Sequence, residues 1–235
     1  MHIFRLFVLS FFLNLLFFSC SAQQLSGSEI YHQIKKLNVL GNVLYLAAHP
    51  DDENTRFISY CANEKLLNTG YLSLTRGDGG QNLIGTEIRE ELGIIRTQEL
   101  LSARRLDGGQ QFFTRANDFG YSKTPEETLK IWDKKKILSD VVWVIRNFRP
   151  DVIVCRFPID GKGGHGHHTS SALLAMEAFD LAADSLAFKE QLKHISVWQP
   201  KRVVVNTGRW WNSNISDNDP GVVSLDIGGY NHLLG

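Results

Sequence analysis

Beyond its first two dozen residues, the chain alternates short apolar runs of strand length with longer segments whose apolar positions recur at helical spacing. Residues 42–48 (NVLYLAA), 70–75 (GYLSLT), 151–156 (DVIVCR) and 202–206 (RVVVN) are four such runs. The first closes on a polar cluster, the second on a glycine-rich one, and Pro150 introduces the third. Residues 86–106 carry Ile88, Leu92, Ile95, Leu100 and Ala103 at close to helical spacing. Residues 125–148 open on a helix-start signature at Thr124 and carry Leu129, Trp132, Ile137, Val141, Val144 and Ile145. A third helix is predicted over 169–183, and no internal repeat breaks the pattern.

Strands alternating with helices predict an α/β chain: a Rossmann-like, three-layer fold with a mostly parallel sheet. In such sheets ligands gather where the carboxyl ends of the strands open into loops. Residues 49–53, 76–81 and 160–168 each follow a predicted strand, so folding is expected to bring them to one rim. At 235 residues the chain can bury a sizeable core, and residues 23–235 read as one domain.

The first 22 residues read differently. Arg5 precedes the apolar run 6–18 (LFVLSFFLNLLFF), followed by the small residues Ser19, Cys20, Ser21 and Ala22. The run is short of the roughly 20 apolar residues a membrane span needs and fits a secretory signal. Cleavage near Ala22 and lipidation at Cys20, a link to the membrane, both stay open, with an uncleaved anchor as the bland alternative. Either way the protein is expected to be exported: periplasmic, secreted or lipid-anchored. Without the signal, Cys61 and Cys155 remain, which cannot make a disulfide framework, and both read as buried small hydrophobes. Lys plus Arg and Asp plus Glu are equal at 25 each, which gives no basic excess and excludes a nucleic-acid partner. A small molecule or a glycan is the expected partner.

The chemistry concentrates in two stretches. His49-Pro50-Asp51-Asp52-Glu53 sets a histidine and carboxylates directly after a buried strand, where unpaired charge is rarely tolerated. A divalent metal would account for it, since imidazole nitrogen and carboxylate oxygen both bind zinc. The competing reading is a strand-end turn in which Asp52 caps the next helix. The second stretch, Asp160-Gly-Lys-Gly-Gly-His165-Gly-His167-His168, packs three of the chain's 8 histidines into four positions. Its competing reading is a flexible loop. Together the two stretches predict His49, Asp52 and His168 as zinc ligands with water in the open position, the catalytic rather than the structural pattern. The expected chemistry is hydrolysis.

His-Pro-Asp-Asp-Glu after the first strand, with a distant His-x-x-His at a glycine-rich loop, resembles the PIG-L/LmbE-like deacetylases over residues 42–230. The resemblance implies zinc, or ferrous iron in the cell, on His49, Asp52 and His168. It makes Asp51 the general base and places His165, protonated, beside the reacting carbonyl. The implied reaction removes an N-acyl group, acetyl foremost, from an amino-sugar-like substrate. Arg96 of Arg96-Thr-Gln-Glu99 is implied to reach the substrate, against an i,i+3 ion pair as the bland alternative. Asp78 in the glycine-rich 76–81 would accept from sugar hydroxyls; the alternative is a tight turn into the next helix.

Two departures stand out. The family commonly reads His-Pro-Asp-His where this chain has His165-Gly166-His167-His168, so a supporting carboxylate is missing or is supplied from elsewhere. It also leaves the metal open to His167 or His168, with spacing favouring His168. The ending 225–230 resembles the start of the family's last segment, so the chain is expected to be truncated at its C-terminus. Two other readings keep the fold: a catalytically silent carbohydrate-binding module, and a zinc amidase for a non-sugar amide. A nucleotide-binding protein would need a glycine-rich loop where His49-Pro-Asp-Asp stands. Oligomeric state is open.

Overall fold

Strand β1 (Asn42–Ala47) explains the architecture around it. Val43, Tyr45 and Ala47 face one side and pack with Ile58, Tyr71 and Leu100. Leu44 and Leu46 face the other and pack with Val141, Ile145, Leu174 and Ala178. Both faces are covered, so the strand carries no polar alternation, as central parallel strands do. A larger side chain such as Leu44 or Leu46 contributes about 2 kcal/mol through burial.

The computed structural model describes residues 25–209 and 211–228. The expected leader at 1–22 with Cys20, one of the paired tryptophans (Trp210), and Tyr230 at the end of the family resemblance lie outside the described residues. Among the described residues, those up to Asn38 and those from Val39 onward belong to two separate units. Within the first, helix α1 (Gly27–Lys36) starts at a capping box of Ser26 and Glu29 and buries none of its residues. No described helix is long and apolar enough to cross a membrane.

The second unit runs β1, α2 (Thr55–Ser59), a π-helical turn (Tyr60–Glu64), β2 (Asn68–Ser73), α3 (Glu90–Asp107) and β3 (Gln110–Phe113). It continues with α4 (Pro125–Ile131), α5 (Lys134–Phe148), β4 (Val152–Cys155), α6 (Gly166–Leu181) and β5 (Arg202–Val205). All strand pairs are parallel, in the order β3-β2-β1-β4-β5. The expected Rossmann-like α/β fold is present. The order reverses at β1 and β4, whose connections leave in opposite directions and open a crevice at their carboxyl ends.

The four predicted strands are present, but β3 is a fifth that the pattern did not single out. It is a half-buried edge strand that begins with two glutamines, so it shows no apolar run. The helix expected over 125–148 is two helices. Asp133 takes a left-handed φ of 55° between them, and Trp132 turns inward to donate its indole N–H to the Asn117 carbonyl at 2.8 Å. Helix α3 starts at Glu90 rather than 86: Arg89 before it has a left-handed φ of 54°, and Asn82 Nδ2 donates to the Glu87 carbonyl at 3.1 Å, which holds that stretch out of the helix. Helix α6 starts at Gly166 rather than 169, which puts His167 and His168 in its first turn. Both cysteines are buried as expected, and burial pushes the thiols up to about 11 (Cys61) and about 12 (Cys155).

Candidate metal centre

Strand β1 delivers the acidic arm. The His49 N–H donates to Asp52 Oδ2 at 2.7 Å, and the same oxygen lies 3.3 Å from His49 Nδ1. The Tyr71 hydroxyl, on the neighbouring strand, donates to the His49 carbonyl. Asp51 has a left-handed φ of 87°, uncommon for a residue with a Cβ. Its N–H donates to Glu53 Oε2 at 3.0 Å, and the buried Glu53 pairs with Arg104 Nη2 at 3.3 Å. Arg104 is itself held by Asp107, with its Nε 3.0 Å from Oδ2. From α3, Arg96 Nη2 donates to the Pro50 carbonyl at 2.9 Å and to Asp51 Oδ2 at 3.0 Å. Its Nε lies 3.2 Å from Glu99 but without hydrogen-bond alignment, so that contact is an ion pair only.

The histidine arm follows β4. His165 caps α6, its Nδ1 accepting from the His167 N–H at 3.0 Å. The Gly166 N–H donates to the Ser122 carbonyl at 2.8 Å, and a Cβ there would lie 2.4 Å from the Thr124 carbonyl oxygen. That close approach explains the glycine: the proline common in the family would collide with this loop. His168 stacks on Phe157, centroids 3.8 Å apart. It pairs through Nδ1 with the Gly163 carbonyl at 2.8 Å and turns Nε2 to Asp52 Oδ1 at 3.6 Å. Because a carbonyl only accepts, the proton is on Nδ1 and Nε2 is a free donor for a metal. His167 is fully buried, its ring centroid 4.6 Å from Trp132 and 4.4 Å from Phe119.

Donor atoms of His49, Asp52 and His168 all lie within 4.8 Å of one another, and so do those of His49, His165 and His167. The two sets are not equivalent. His49 Nε2 and His167 Nδ1 are 2.9 Å apart, a hydrogen-bond distance. Two ligands on tetrahedral zinc at ordinary bond lengths stand about 3.3 Å apart. The first set also supplies a carboxylate and two correctly turned nitrogens, so it is the better metal site.

Electrostatics agree. Burial opposes charge on His49, but Asp52, Asp118 and Asp51 outweigh it and raise its pKa, so the carboxylates beside this one ring favour positive charge there. Burial, reinforced by His49 and His168, holds His165 down to about 4. His165 is therefore neutral at pH 7 where a protonated imidazole was expected. Burial also lowers the pKa of His168.

The remaining expected residues take other positions. Asp51 stands at the rim with its side chain 70% exposed. Arg96 braces the acidic arm and also makes the i,i+3 contact. Asp78 Oδ1 accepts from the Asp118 N–H at 3.1 Å, so one of its oxygens is already engaged by the protein. Asp118 itself was not anticipated. It lies after β3, with Oδ2 3.9 Å from His49 Nε2 and Oδ1 3.8 Å from His167 Nδ1. It is a carboxylate supplied from another loop, but it stands beside His49 and His167 rather than His165 and is not within hydrogen-bond distance of either ring. Only recognition of β3 would have drawn attention to its loop.

The model of the PIG-L family, GlcNAc-PI de-N-acetylase, matches residues 44–179, more than half of the chain and both arms. The chain belongs to this family. A PIG-L identity agrees with its likeness to the mycothiol S-conjugate amidase of Streptomyces coelicolor, 29% identical over 178 residues, 68% of this chain and 59% of the relative. The 1D-myo-inositol 2-acetamido-2-deoxy-alpha-D-glucopyranoside deacetylase of Geodermatophilus obscurus is 31% identical over 169 residues, 60% of this chain and 54% of the relative. The PIG-L chain thus spans little more than half the length of these curated relatives. Among solved structures it resembles N,N'-diacetylchitobiose deacetylase from Pyrococcus horikoshii, with a TM-score of 0.54 at 16% identity over 80% of this chain and 68% of that one. At that identity the likeness shows the fold.

Proposed function

We propose that the chain is a metal-dependent amide hydrolase that removes an N-acetyl group from an amino-sugar-like substrate, with zinc, or ferrous iron in the cell, on His49, Asp52 and His168. The observation that carries this is the convergence of those three donors at the switch-point crevice. Three protein donors leave a coordination position open, as catalytic zinc sites require. When bound, the ion would polarise the acyl carbonyl and acidify a water towards a pKa of about 7.

The chain's own groups supply the proton chemistry. Asp51, held by Arg96 through one oxygen, takes a proton from the attacking water with the other. It returns that proton to the amine nitrogen as the C–N bond breaks, which leaves acetate and a free amine. His165 accepts from the His167 N–H through Nδ1, so a neutral ring carries its proton on Nε2. That N–H is a donor for negative charge developing on the acyl oxygen. The sugar acetamide named in the Geodermatophilus deacetylase supports the substrate class. The Streptomyces amidase supports a second reading, a non-sugar amide at the same centre. On the reading of residues 1–22 as a signal, the reaction takes place outside the cytoplasm.

The test measures metal content and amine release together, with N-acetylglucosamine and its oligomers as substrates. About one metal per chain is expected, with release abolished by chelation. Bound metal with no release from any sugar would favour the second reading, and a chain that binds no metal would overturn both.

A further inference from the structure

We infer that His167 is a positioning residue: it accepts a hydrogen bond from His49 and so holds that metal ligand in the tautomer that leaves Nδ1 free. The inference rests on the metal centre proposed above. Metal-binding imidazoles usually donate their second N–H to a carboxylate or carbonyl. His168 does so, to Gly163. His49 cannot follow it: its Nε2 is 2.9 Å from His167 Nδ1, while Asp118 stands off at 3.9 Å.

If Nδ1 binds the metal beside Asp52, the proton of a neutral His49 lies on Nε2, and His167 Nδ1, 2.9 Å away, has to accept it. The proton of His167 is then on its own Nε2. That atom is buried and has no hydrogen-bond partner among the described residues, in a ring wedged between Trp132 and Phe119. The alternative tautomer would set two N–H groups against each other across 2.9 Å, with an unprotonated nitrogen sealed among aromatic rings. The 2.9 Å approach of the two rings thereby couples the tautomer of His167 to that of His49. Asp118, near both rings and tied through its N–H to Asp78, adds negative potential beside His49 without taking its proton. Imidazole and carboxylate here divide the work that a single aspartate could do at position 167.

Three variants test this through zinc affinity, read by competition with a chromophoric chelator. His167→Asn keeps an acceptor near the place of Nδ1, His167→Gln puts its polar group nearer Nε2, and His167→Leu has none. His167→Leu should weaken zinc binding by about 10- to 100-fold. His167→Asn should restore most of the loss and His167→Gln little of it. Thermal melting of the chelator-stripped proteins controls for folding, because a merely structural role would not separate Asn from Gln. Equal affinities for Asn and Gln, or a Leu variant within about threefold of the parent, would overturn the inference. If the parent binds no zinc, or His168→Ala keeps it, the metal centre itself fails. Zinc that is lost in His168→Ala but indifferent to every change at 167 sinks this inference alone.

Discussion

The two arms of the site are built by opposite means. The acidic arm, His49 to Glu53, is held by charge: Arg96 grips Asp51, and the buried Arg104 grips Glu53, which in turn holds the Asp51 N–H. The histidine arm, Gly163 to His168, is held by shape. Gly166 fits against the 122–124 backbone, His168 lies flat on Phe157, and His167 is wedged between Trp132 and Phe119. The acidic arm needs its braces because Asp51 occupies a left-handed backbone conformation that a non-glycine residue does not hold without support. The histidine arm begins a helix, whose own hydrogen bonds fix the spacing of its rings. Loss of a charge should therefore break one arm, and a misfit methyl group the other.

The largest effect separates the proposed base from a proposed metal ligand within the acidic arm. Asp51→Asn should retain bound metal and lose turnover by on the order of 10²–10⁴-fold, the usual worth of a general base. His49→Ala should lose the metal itself. Metal analysis beside amine-release rates checks both, and near-normal turnover by Asp51→Asn would remove Asp51 from its role.

A pair of stability measurements then compares the arms directly. Arg104→Met leaves Glu53 and Asp107 as buried charges without their cation and should cost about 3–5 kcal/mol in urea unfolding. Adding Glu53→Gln should recover part of that loss. Gly166→Ala should cost about 1–3 kcal/mol by overpacking, and no change of charge nearby should recover it. Equal recovery in both arms would erase the distinction.

The smallest effect is in acid. His165, His167 and His168 all have folded pKa values below the unfolded value of about 6.5, with His165 at about 4 and His167 at about 2. Below pH 6.5 the unfolded chain takes up protons that these folded rings refuse, so stability falls as pH drops towards the folded values. For His167, fully buried, the loss between pH 7 and pH 5 is about 2 kcal/mol. The acidic arm responds in the other direction. Glu53 and His49 have raised values, bind protons more readily folded than unfolded, and offset part of the loss. Urea unfolding of chelator-treated protein at the two pH values should show a net decrease on acidification. A flat or inverted response would mean that the acidic arm dominates.

Much of this was legible before folding. Buried parallel strands advertise themselves as apolar runs, so β1, β2, β4 and β5 were readable and their loops could be assigned to one rim. Strand β3 was not, because an edge strand needs only half of its surface apolar and Gln110-Gln111-Phe112-Phe113 carries no run. With it went Asp118, whose loop the strand-end rule would otherwise have marked. The break at Asp133 escaped because helical spacing on both sides is intact; the inward turn of Trp132 depends on a carbonyl fifteen residues away. The residues that brace the site, Glu53 and Arg104, are 51 positions apart and look like ordinary surface charges until they are buried together.

The sequence alone determined the α/β layering and the rim on which chemistry gathers, and it singled out His49, Asp52 and His168 as candidate donors, because periodicity and residue chemistry are local properties. Only the tertiary structure decided which nitrogen of each histidine faces Asp52, that Arg96 holds Asp51, and that Asp118 reaches the pair His49 and His167. These are matters of orientation across long sequence separations. A hydrogen bond depends on tenths of an ångström and on which edge of a ring is turned, and that is fixed only when the elements carrying the partners have packed.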